Sequence, residues 1–413
     1  MGLYSLWICF LLISAVFSKD DYNIGGTTAD GWEFVRDLFE ENFVEQRDLG
    51  ASVAIYHQGK LVVNLWGGWF DRSFTKPYDD NTLQLVFSST KGLVATAVAL
   101  CVQKGLLNYS DLVTKYWPEY GQNGKENTTI ADILSHRGGL PTEPGPLELM
   151  LNWTAMVSAL EQQQPLWVPG TAHSYHALTY GWLAGELIRR VDPKKRSVGE
   201  FIREEIADKI GIEFYVGLPI EEDYRVSPLT FRLEDLQALT DAVRDSISFY
   251  NDPRLRGAEI PAANGITNAR SLAKLYASLI MSLDNGNQKP FLDETVLEQA
   301  TKSNTPEGEL EFVSNATSSF GMGFMLLDRS LPFFQSEIFG HPGKNHQNRF
   351  PFIHIYFYHL GAGGSVGFAI PSKNLSFAFV MNQLDISETG FASPRIRLIL
   401  EQVAEKLSDN YSY

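Results

Sequence analysis

A serine and a lysine separated by two residues stand where such a pair could perform nucleophilic chemistry. Ser88-Ser89-Thr90-Lys91 follows the apolar, strand-like run Leu83–Phe87 and precedes a long apolar helix. Residues three apart at a helix start lie on one face, near the positive end of the helix dipole. A lysine held there can accept the serine proton and leave a nucleophilic oxygen. The spacing also fits an N-cap serine followed by a solvated lysine, so the motif alone leaves both interpretations open.

Three further segments carry groups that can take part in such chemistry. Tyr175, in a loop that leads into a helix, is either a packing residue or a general base whose phenolate lies beside a lysine. His136 lies in a polar turn, where we expect it to fix the loop by hydrogen bonding rather than to catalyse. The stretch 359–365, His-Leu-Gly-Ala-Gly-Gly-Ser, precedes a strand. Glycines there let a substrate approach closely, and an exposed N–H can face an oxyanion.

The elements that must position these residues are strands near both chain ends and helices between them. Periodicity and turn signals predict the following elements: a helix capped by Asp30 and running to about Arg47, a hairpin of Ser52–Tyr56 and Leu61–Trp66, a buried helix containing Leu93–Val102, a second hairpin of Ser365–Ile370 and Leu375–Met381, and a final helix opened by Ser393-Pro394. The pattern from about 109 to 300 is helical. We therefore predict an α/β (α+β) fold, with one antiparallel sheet formed by both chain ends, flanking helices and an inserted helical lobe.

Composition indicates one large globular domain over residues 19–413. The chain has 413 residues, of which 44% are hydrophobic and 12% aromatic, enough for a large core. Its net charge of −15, with dispersed basic residues, argues against nucleic acid and anionic membrane surfaces as partners. The oligomeric state is left open.

Residues 1–18 have the pattern of a secretory signal peptide. The apolar run Leu6–Phe17 is too short to span a bilayer, and Ala15-Val16-Phe17-Ser18 offers small residues for cleavage before Lys19. A short signal anchor is the alternative. Six Asn-x-Ser/Thr sequons fit passage through a secretory lumen: Asn108, Asn127, Asn152, Asn315, Asn374 and Asn410. We expect a secreted or lumenal glycoprotein with no membrane span after signal removal, in which Cys101 is the one remaining cysteine.

Taken together, the motifs resemble the serine β-lactamase-related family, which includes class C-type β-lactamases, D-aminopeptidases and carboxylesterases of the penicillin-binding fold. The esterase-like branch is the most similar. The matching segments occur in family order over roughly residues 30–407: Leu65-Trp66-Gly67-Gly68, Val86-Phe87-Ser88-Ser89-Thr90-Lys91-Gly92, Tyr116-Trp117-Pro118-Glu119, Leu134-Ser135-His136, Tyr175-His176-Ala177 and His359-x-Gly361-Ala362-Gly363-Gly364-Ser365.

The resemblance implies a role for each catalytic residue. Ser88 would be the acylated nucleophile, and Lys91 would accept or shuttle its proton. Tyr175 would act as base in acylation and then relay a proton to the leaving group. A histidine of the third motif stands where many relatives carry a lysine, and it would bind the substrate carboxylate or hold Tyr175.

The resemblance also implies the oxyanion hole and the reaction class. The backbone N–H groups of Ser88 and Ala362 would stabilise the oxyanion, and Gly361 and Gly363 would lie along the substrate. Ala177 stands where β-lactamases usually carry Asn, which favours esters over lactams. This branch implies a small-molecule ester or amide substrate as partner and no metal or cofactor, and the sequence has no His-Glu-x-x-His motif. We expect a carboxylesterase acting through an acyl-enzyme; the alternatives are a D-aminopeptidase or β-lactamase-like amide hydrolase, and a catalytically silent scaffold.

The third motif begins twice in this chain. Residues 339–343, Phe-Gly-His-Pro-Gly, approach the Ala-Gly-Gly-Ser of residues 362–365, but 18 residues, Lys344–Gly361, intervene. Their removal gives an uninterrupted motif, and codons at both junctions can contain splice signals. We therefore expect either a retained intron or a real insertion over 344–361. In a real insertion His359, rather than His341, would hold the third-motif position.

Overall fold

A seven-stranded antiparallel sheet dominates the β-structure of the computed structural model, which describes residues 22–232, 241–342, 364–384, 391 and 393–409. The strands are β1 (Gly25–Thr28), β2 (Gly50–His57), β3 (Lys60–Gly68), β4 (Gln84–Leu85), β5 (Phe214–Tyr215), β6 (Thr230–Phe231), β7 (Ile266–Thr267), β8 (Met325–Leu326), β9 (Phe339–Pro342), β10 (Val366–Ile370), β11 (Leu375–Met381) and β12 (Gln383–Leu384). The order in the large sheet is β1-β3-β2-β11-β10-β9-β8. Strands from both ends of the chain therefore meet where β2 pairs with β11.

Most helices of the described residues lie between β3 and β8 in the chain. They are α1 (Glu33–Val44), α2 (Thr90–Gln103), α3 (Ile130–Leu134), α4 (Trp153–Gln162), α5 (Thr179–Val191), α6 (Val198–Ile202), α7 (Asp208–Ile210), α8 (Asp241–Tyr250), α9 (Pro253–Gly257), α10 (Ala269–Ile280), α11 (Glu294–Thr301) and α12 (Pro394–Asp409), with a π-helical turn at Arg203–Ala207. Within the described ranges, no helix combines the length and apolar character needed to cross a bilayer.

Alternation along the central strands separates two cores. Val53 and Ile55 of β2 face one core, which includes apolar residues of α1 and α12. Ala54 and Tyr56 face the other, which includes residues of α2, α5 and α10. Because successive side chains of a strand point to opposite sides, a sheet covered on both faces has buried residues at every position. This accounts for the almost uniformly apolar sequence of β11.

The predicted fold class is confirmed, because one antiparallel sheet contains strands from both chain ends and helices are inserted between them. One helix of the interval predicted as a lobe, α10, packs directly against β2 and β11. The predicted signal peptide, residues 1–18, and the segment 344–361 lie outside the described residues.

The predicted Asp30 cap of the first helix is wrong. The helix begins at Glu33 with Trp32 at the N-cap position, and no side chain caps it. The Trp32 backbone N–H donates to the Ala29 carbonyl instead, at 2.9 Å. Its start is set by this turn and by burial of the Trp32 ring, so a polar residue nearby was a misleading signal.

Candidate active site

Ser88 lies at a strained turn that leads into α2. Phe87, immediately before it, has a φ of +46°, a left-handed conformation that is costly for a bulky residue. The Phe87 ring packs edge-on against Tyr250 with centroids 5.0 Å apart, which holds this turn in place. Ser88 itself is only partly buried. The turn therefore presents the Ser88 hydroxyl at the surface of an otherwise buried helix.

Lys91 is completely buried and points back at Ser88. Its Nζ lies 3.2 Å from the Ser88 Oγ, 2.7 Å from the Ala177 carbonyl oxygen and 3.0 Å from the Ala262 carbonyl oxygen. Its side chain is 0% exposed, so the interpretation of a solvated lysine after an N-cap serine is wrong.

The surroundings of Lys91 favour its neutral amine. Burial lowers the pKa of Lys91 well below its usual range, against the opposing charge of Glu143. A neutral amine has two N–H groups and one lone pair. Because the carbonyls of Ala177 and Ala262 accept two N–H groups, the lone pair is left to accept the hydroxyl proton of Ser88. This arrangement can activate the hydroxyl as a nucleophile.

Tyr175 lies close to both Lys91 and Ser88. The Nζ of Lys91 is 4.7 Å from the centre of its ring, and its hydroxyl faces Ser88. Burial raises the pKa of Tyr175 far above its usual value, and the nearby Ser88 hydroxyl opposes this rise. The phenol therefore keeps its proton at neutral pH, which suits it to donate a proton to a departing oxygen.

Two histidines fix the loop that carries Tyr175. The His136 Nδ1 accepts a hydrogen bond from the His176 backbone N–H at 3.1 Å, and its ring packs against Tyr175 with centroids 4.8 Å apart. The His176 ring donates through Nδ1 to the Ser174 carbonyl, at 2.7 Å, and accepts at Nε2 from the Leu140 N–H, at 2.9 Å. His136 thus fixes the loop by hydrogen bonding, and His176 binds the same loop to the backbone of Leu140.

His341, one of the two candidate third-motif histidines, lies beside Tyr175. His341 lies on β9, fully buried, with its ring 5.9 Å from the Tyr175 ring. Burial, followed by the charge of Lys91, lowers the pKa of His341 to about 3, so the ring is neutral. The Ser89 hydroxyl fastens β9 to the start of α2, at 3.1 Å from the His341 carbonyl and 3.2 Å from the Ser365 carbonyl.

The other predicted residues of the third motif, His359, Gly361, Ala362 and Gly363, lie outside the described residues. One half of the predicted oxyanion hole is described. The Ser88 backbone N–H donates to no backbone carbonyl of the described residues, which leaves it free to meet a substrate oxygen.

Two glutamates near the site were missed by the sequence analysis. The Glu143 Oε1 is buried without a hydrogen-bond partner among the described residues, and its charge acts on Lys91. Burial raises the pKa of Glu143 to about 7, with its own backbone N–H and Lys91 opposing the rise. The Glu311 carboxylate accepts from the Tyr175 backbone N–H at 3.3 Å. Neither glutamate belongs to a recognisable motif, so no sequence signal pointed to them. Within the described part of the chain, no cluster of His, Cys, Asp and Glu could hold a metal ion.

A comparison with known protein families identifies the family of this chain. A family model described as beta-lactamase matches residues 35–401. The chain belongs to the beta-lactamase family. The resemblance inferred from the motifs is thereby confirmed, since the match runs from α1 into the first half of α12.

Individual members of the beta-lactamase family extend the comparison. The chain is 30% identical over 372 residues to the esterase/beta-lactamase LipL of Mycobacterium tuberculosis, covering 84% of this chain and 80% of LipL. A crystal structure of a family VIII carboxylesterase is 32% identical, with a TM-score of 0.78, and covers 93% of this chain and 100% of its own. The structure of EstA from Arthrobacter nitroguajacolicus Rue61a is 30% identical, with a TM-score of 0.77 and coverage of 94% and 100%.

Proposed function

We propose that this member of the beta-lactamase family is a serine hydrolase that forms an acyl-enzyme on Ser88 with small carboxylic esters. The observation that carries the proposal is the position of the buried Lys91 Nζ, which two carbonyls hold 3.2 Å from the Ser88 Oγ. The similarity to a family VIII carboxylesterase and to LipL supports the reaction class.

In the proposed acylation, the Ser88 Oγ attacks the ester carbonyl carbon and its proton passes to the Lys91 amine. The carbonyl oxygen becomes an oxyanion, which the Ser88 N–H and the Ala362 N–H would stabilise. Collapse of this intermediate breaks the bond to the alcohol oxygen, which takes a proton from Tyr175. The proton on Lys91 then restores the phenol. Water attacks the acyl-enzyme by the same steps in reverse and releases the acid. Tyr175 thus acts first as an acid here, because its phenol is hard to ionise.

Ala177 favours esters over amides in this proposal. In the family resemblance described above, an Asn at this position binds the amide side chain of lactam substrates. Ala177 has no polar side chain, and its carbonyl is occupied by Lys91. Amide or lactam hydrolysis remains the second candidate function, which LipL, named as both esterase and beta-lactamase, favours.

The third motif of the working enzyme is proposed to be His341-Pro342-Gly343-Ala362, with Lys344–Gly361 a retained intron. The register Val366↔Pro342 makes β9 and β10 an antiparallel pair, and residues 343–365 connect them. Without the 18 residues this connection has five, a common length for a hairpin loop. Transcripts that contain only the longer form would contradict this proposal.

We also propose that the enzyme is secreted or lumenal, is processed after residue 18 and carries N-linked glycans. The five described sequon asparagines are all exposed, as glycan attachment requires: Asn108, Asn127, Asn152, Asn315 and Asn374. Expression in a secreting eukaryotic cell should give a new amino terminus near Lys19 and a mass that falls on treatment with an amidase that removes N-glycans. An unprocessed chain that stays inside the cell would contradict the proposal.

Labelling by a fluorophosphonate, followed by intact mass measurement, tests the catalytic proposal. The secreted chain is prepared with and without residues 344–361, and Ser88→Ala is the control for each. An adduct that disappears in Ser88→Ala, together with faster hydrolysis of ethyl butyrate than of a cephalosporin, is the expected result. A folded protein that forms no adduct in either form would favour the silent scaffold, and faster lactam turnover would favour the amide hydrolase.

A further inference from the structure

The buried carboxylate of Glu311 binds the loop that carries Tyr175. Glu311 is 3% exposed and lies in the segment between α11 and β8. Its Oε2 accepts from the Tyr175 backbone N–H at 3.3 Å, the Ser174 hydroxyl at 3.5 Å and the Ser314 hydroxyl at 2.9 Å. Its Oε1 accepts from the Ser318 hydroxyl at 2.5 Å. Two of these four donors belong to Ser174 and Tyr175, and the other two, Ser314 and Ser318, lie in the same segment as Glu311 and fix its carboxylate.

A neighbouring set of residues joins the same two segments. The His173 Nδ1 donates to Glu309 at 2.5 Å, and Arg137 binds Glu309 through Nη1 at 2.5 Å. The Phe312 backbone N–H donates to the His173 carbonyl at 2.7 Å. These bonds hold the segment that carries Glu311 against the loop of Tyr175.

Ser318, His173 and Glu309 have the connectivity of a serine hydrolase triad, since the His173 Nε2 lies 3.3 Å from the Ser318 Oγ. They do not form a second nucleophilic site. The Ser318 hydroxyl donates to Glu311 at the shorter distance of 2.5 Å, so His173 is not positioned to take its proton. Ser318 is also buried, out of reach of a substrate. The arrangement serves to orient Glu311.

We infer that Glu311 is the positioning residue that holds Tyr175 in place to protonate the leaving alcohol of the ester. The inference rests on the proposed function, because it assigns Glu311 a part in that reaction. The backbone N–H of Tyr175 donates to the Glu311 carboxylate, and the Tyr175 ring packs against His136 and Phe320. Release of the N–H would let the loop shift, and displacement of about 1 Å at a catalytic group can cost about a hundredfold in rate.

The dependence of rate on the leaving group tests the role of Glu311. A p-nitrophenolate leaves without a proton, whereas an ethoxide needs one, so a displaced Tyr175 harms only the second substrate. Glu311→Ala should lower kcat/KM for ethyl butyrate by about tenfold or more while that for p-nitrophenyl butyrate changes by about threefold or less. In the Tyr175→Phe background, Glu311→Ala should add little, because the two residues act as one unit.

Three further variants keep the test decisive. Glu311→Gln retains an acceptor for the Tyr175 N–H and should restore most of the rate. Glu311→Asp keeps the charge but withdraws it by about 1.5 Å, so it serves if Glu311→Ala fails to fold. Glu307→Ala removes an exposed carboxylate from the same segment and should change neither substrate.

The outcomes separate this inference from the proposed function. Equal losses for both esters in Glu311→Ala and Glu311→Asp would show a purely structural role and overturn the inference. Unchanged rates for both esters would also overturn it. A wild-type protein that forms no fluorophosphonate adduct and hydrolyses neither ester would overturn the proposed function itself, before any variant is compared.

Discussion

The two sides of the Ser88 hydroxyl are built differently. On the helix side, Lys91 lies one turn away on α2 and is fixed by carbonyls within a buried core. On the loop side, Tyr175 precedes α5, and its backbone is held by Glu311, 136 residues further along the chain. The first arrangement depends on one helix and the second on contacts between distant segments.

Because of this difference, the position of Lys91 is fixed, whereas the position of Tyr175 can be adjusted. A group on a buried helix cannot move without disturbing the core, so the position of Lys91 relative to Ser88 is set by the fold. A group on a loop can be shifted by changes in the segments that hold it. We therefore expect variants on the helix side to affect every substrate, and variants on the loop side to affect substrates unequally.

Lys91→Met should have the largest effect. Removal of the amine leaves the Ser88 proton without an acceptor, and kcat/KM should fall by about 10²–10⁴-fold for both p-nitrophenyl and ethyl esters. Stopped-flow and steady-state hydrolysis of both esters check this, with thermal unfolding as the control for folding. A loss confined to the ethyl ester would contradict the separation of the two sides.

Tyr175→Phe should act selectively. The ring contacts with His136 and Phe320 are retained, but the proton for the leaving alcohol is lost. We expect kcat/KM to fall by about a hundredfold for ethyl butyrate and by about tenfold or less for p-nitrophenyl butyrate. The ratio of the two rates, measured in one preparation, is the deciding quantity. Equal losses would return Tyr175 to the role of base in acylation.

His176→Gln should change the pH dependence of stability on the loop side. Burial lowers the pKa of His176 to about 4, with its bond to the Ser174 carbonyl opposing. Because the unfolded chain binds this proton more tightly than the folded one, the free energy of unfolding should rise with pH between about 4 and 6.5. The variant should lose about 1–3 kcal/mol of this rise. Urea unfolding at pH 4.5 and pH 7 measures the difference, and an unchanged slope would contradict it.

Glu143→Gln should give the opposite dependence and the smallest effect. Burial raises the pKa of the Glu143 carboxyl to about 7, so the folded chain binds its proton more tightly than the unfolded one. The free energy of unfolding should therefore fall as pH rises from about 4.5 to 7, and the variant should not show this fall. We expect the variant to be about 1–2 kcal/mol more stable at pH 8 and almost unchanged at pH 4.5. Lower stability at pH 8 would contradict the assignment.

The parts of the structure that the sequence predicted are those with local signals. The hairpins of β2 with β3 and of β10 with β11 follow from apolar runs separated by turn residues, and both were located to within a few residues. The buried character of α2 follows from the almost wholly apolar sequence of Leu93–Val102. In each case a short stretch contains all the information that its structure needs.

The parts that could not be predicted depend on long-range packing. Nothing in the sequence near Glu311 indicates that it binds the loop of Tyr175, because only the folded chain brings the two segments together. The carbonyl of Ala262, which accepts from Lys91, is likewise invisible in a sequence because every residue has a carbonyl. The start of α1 was predicted wrongly for a related reason, because a turn and the burial of the Trp32 ring set it rather than a polar cap.

The central pairing of β2 with β11 has a consequence for how the enzyme is made. Ala51 lies opposite Met381, more than three hundred positions later in the chain. A ribosome must therefore deliver nearly the whole polypeptide before β2 gains its second neighbour, and such distant closures are slow. Until then, β2 presents an open apolar edge that other chains can join. A chain that ends before residue 375 lacks β11, so this edge of β2 would stay unpaired.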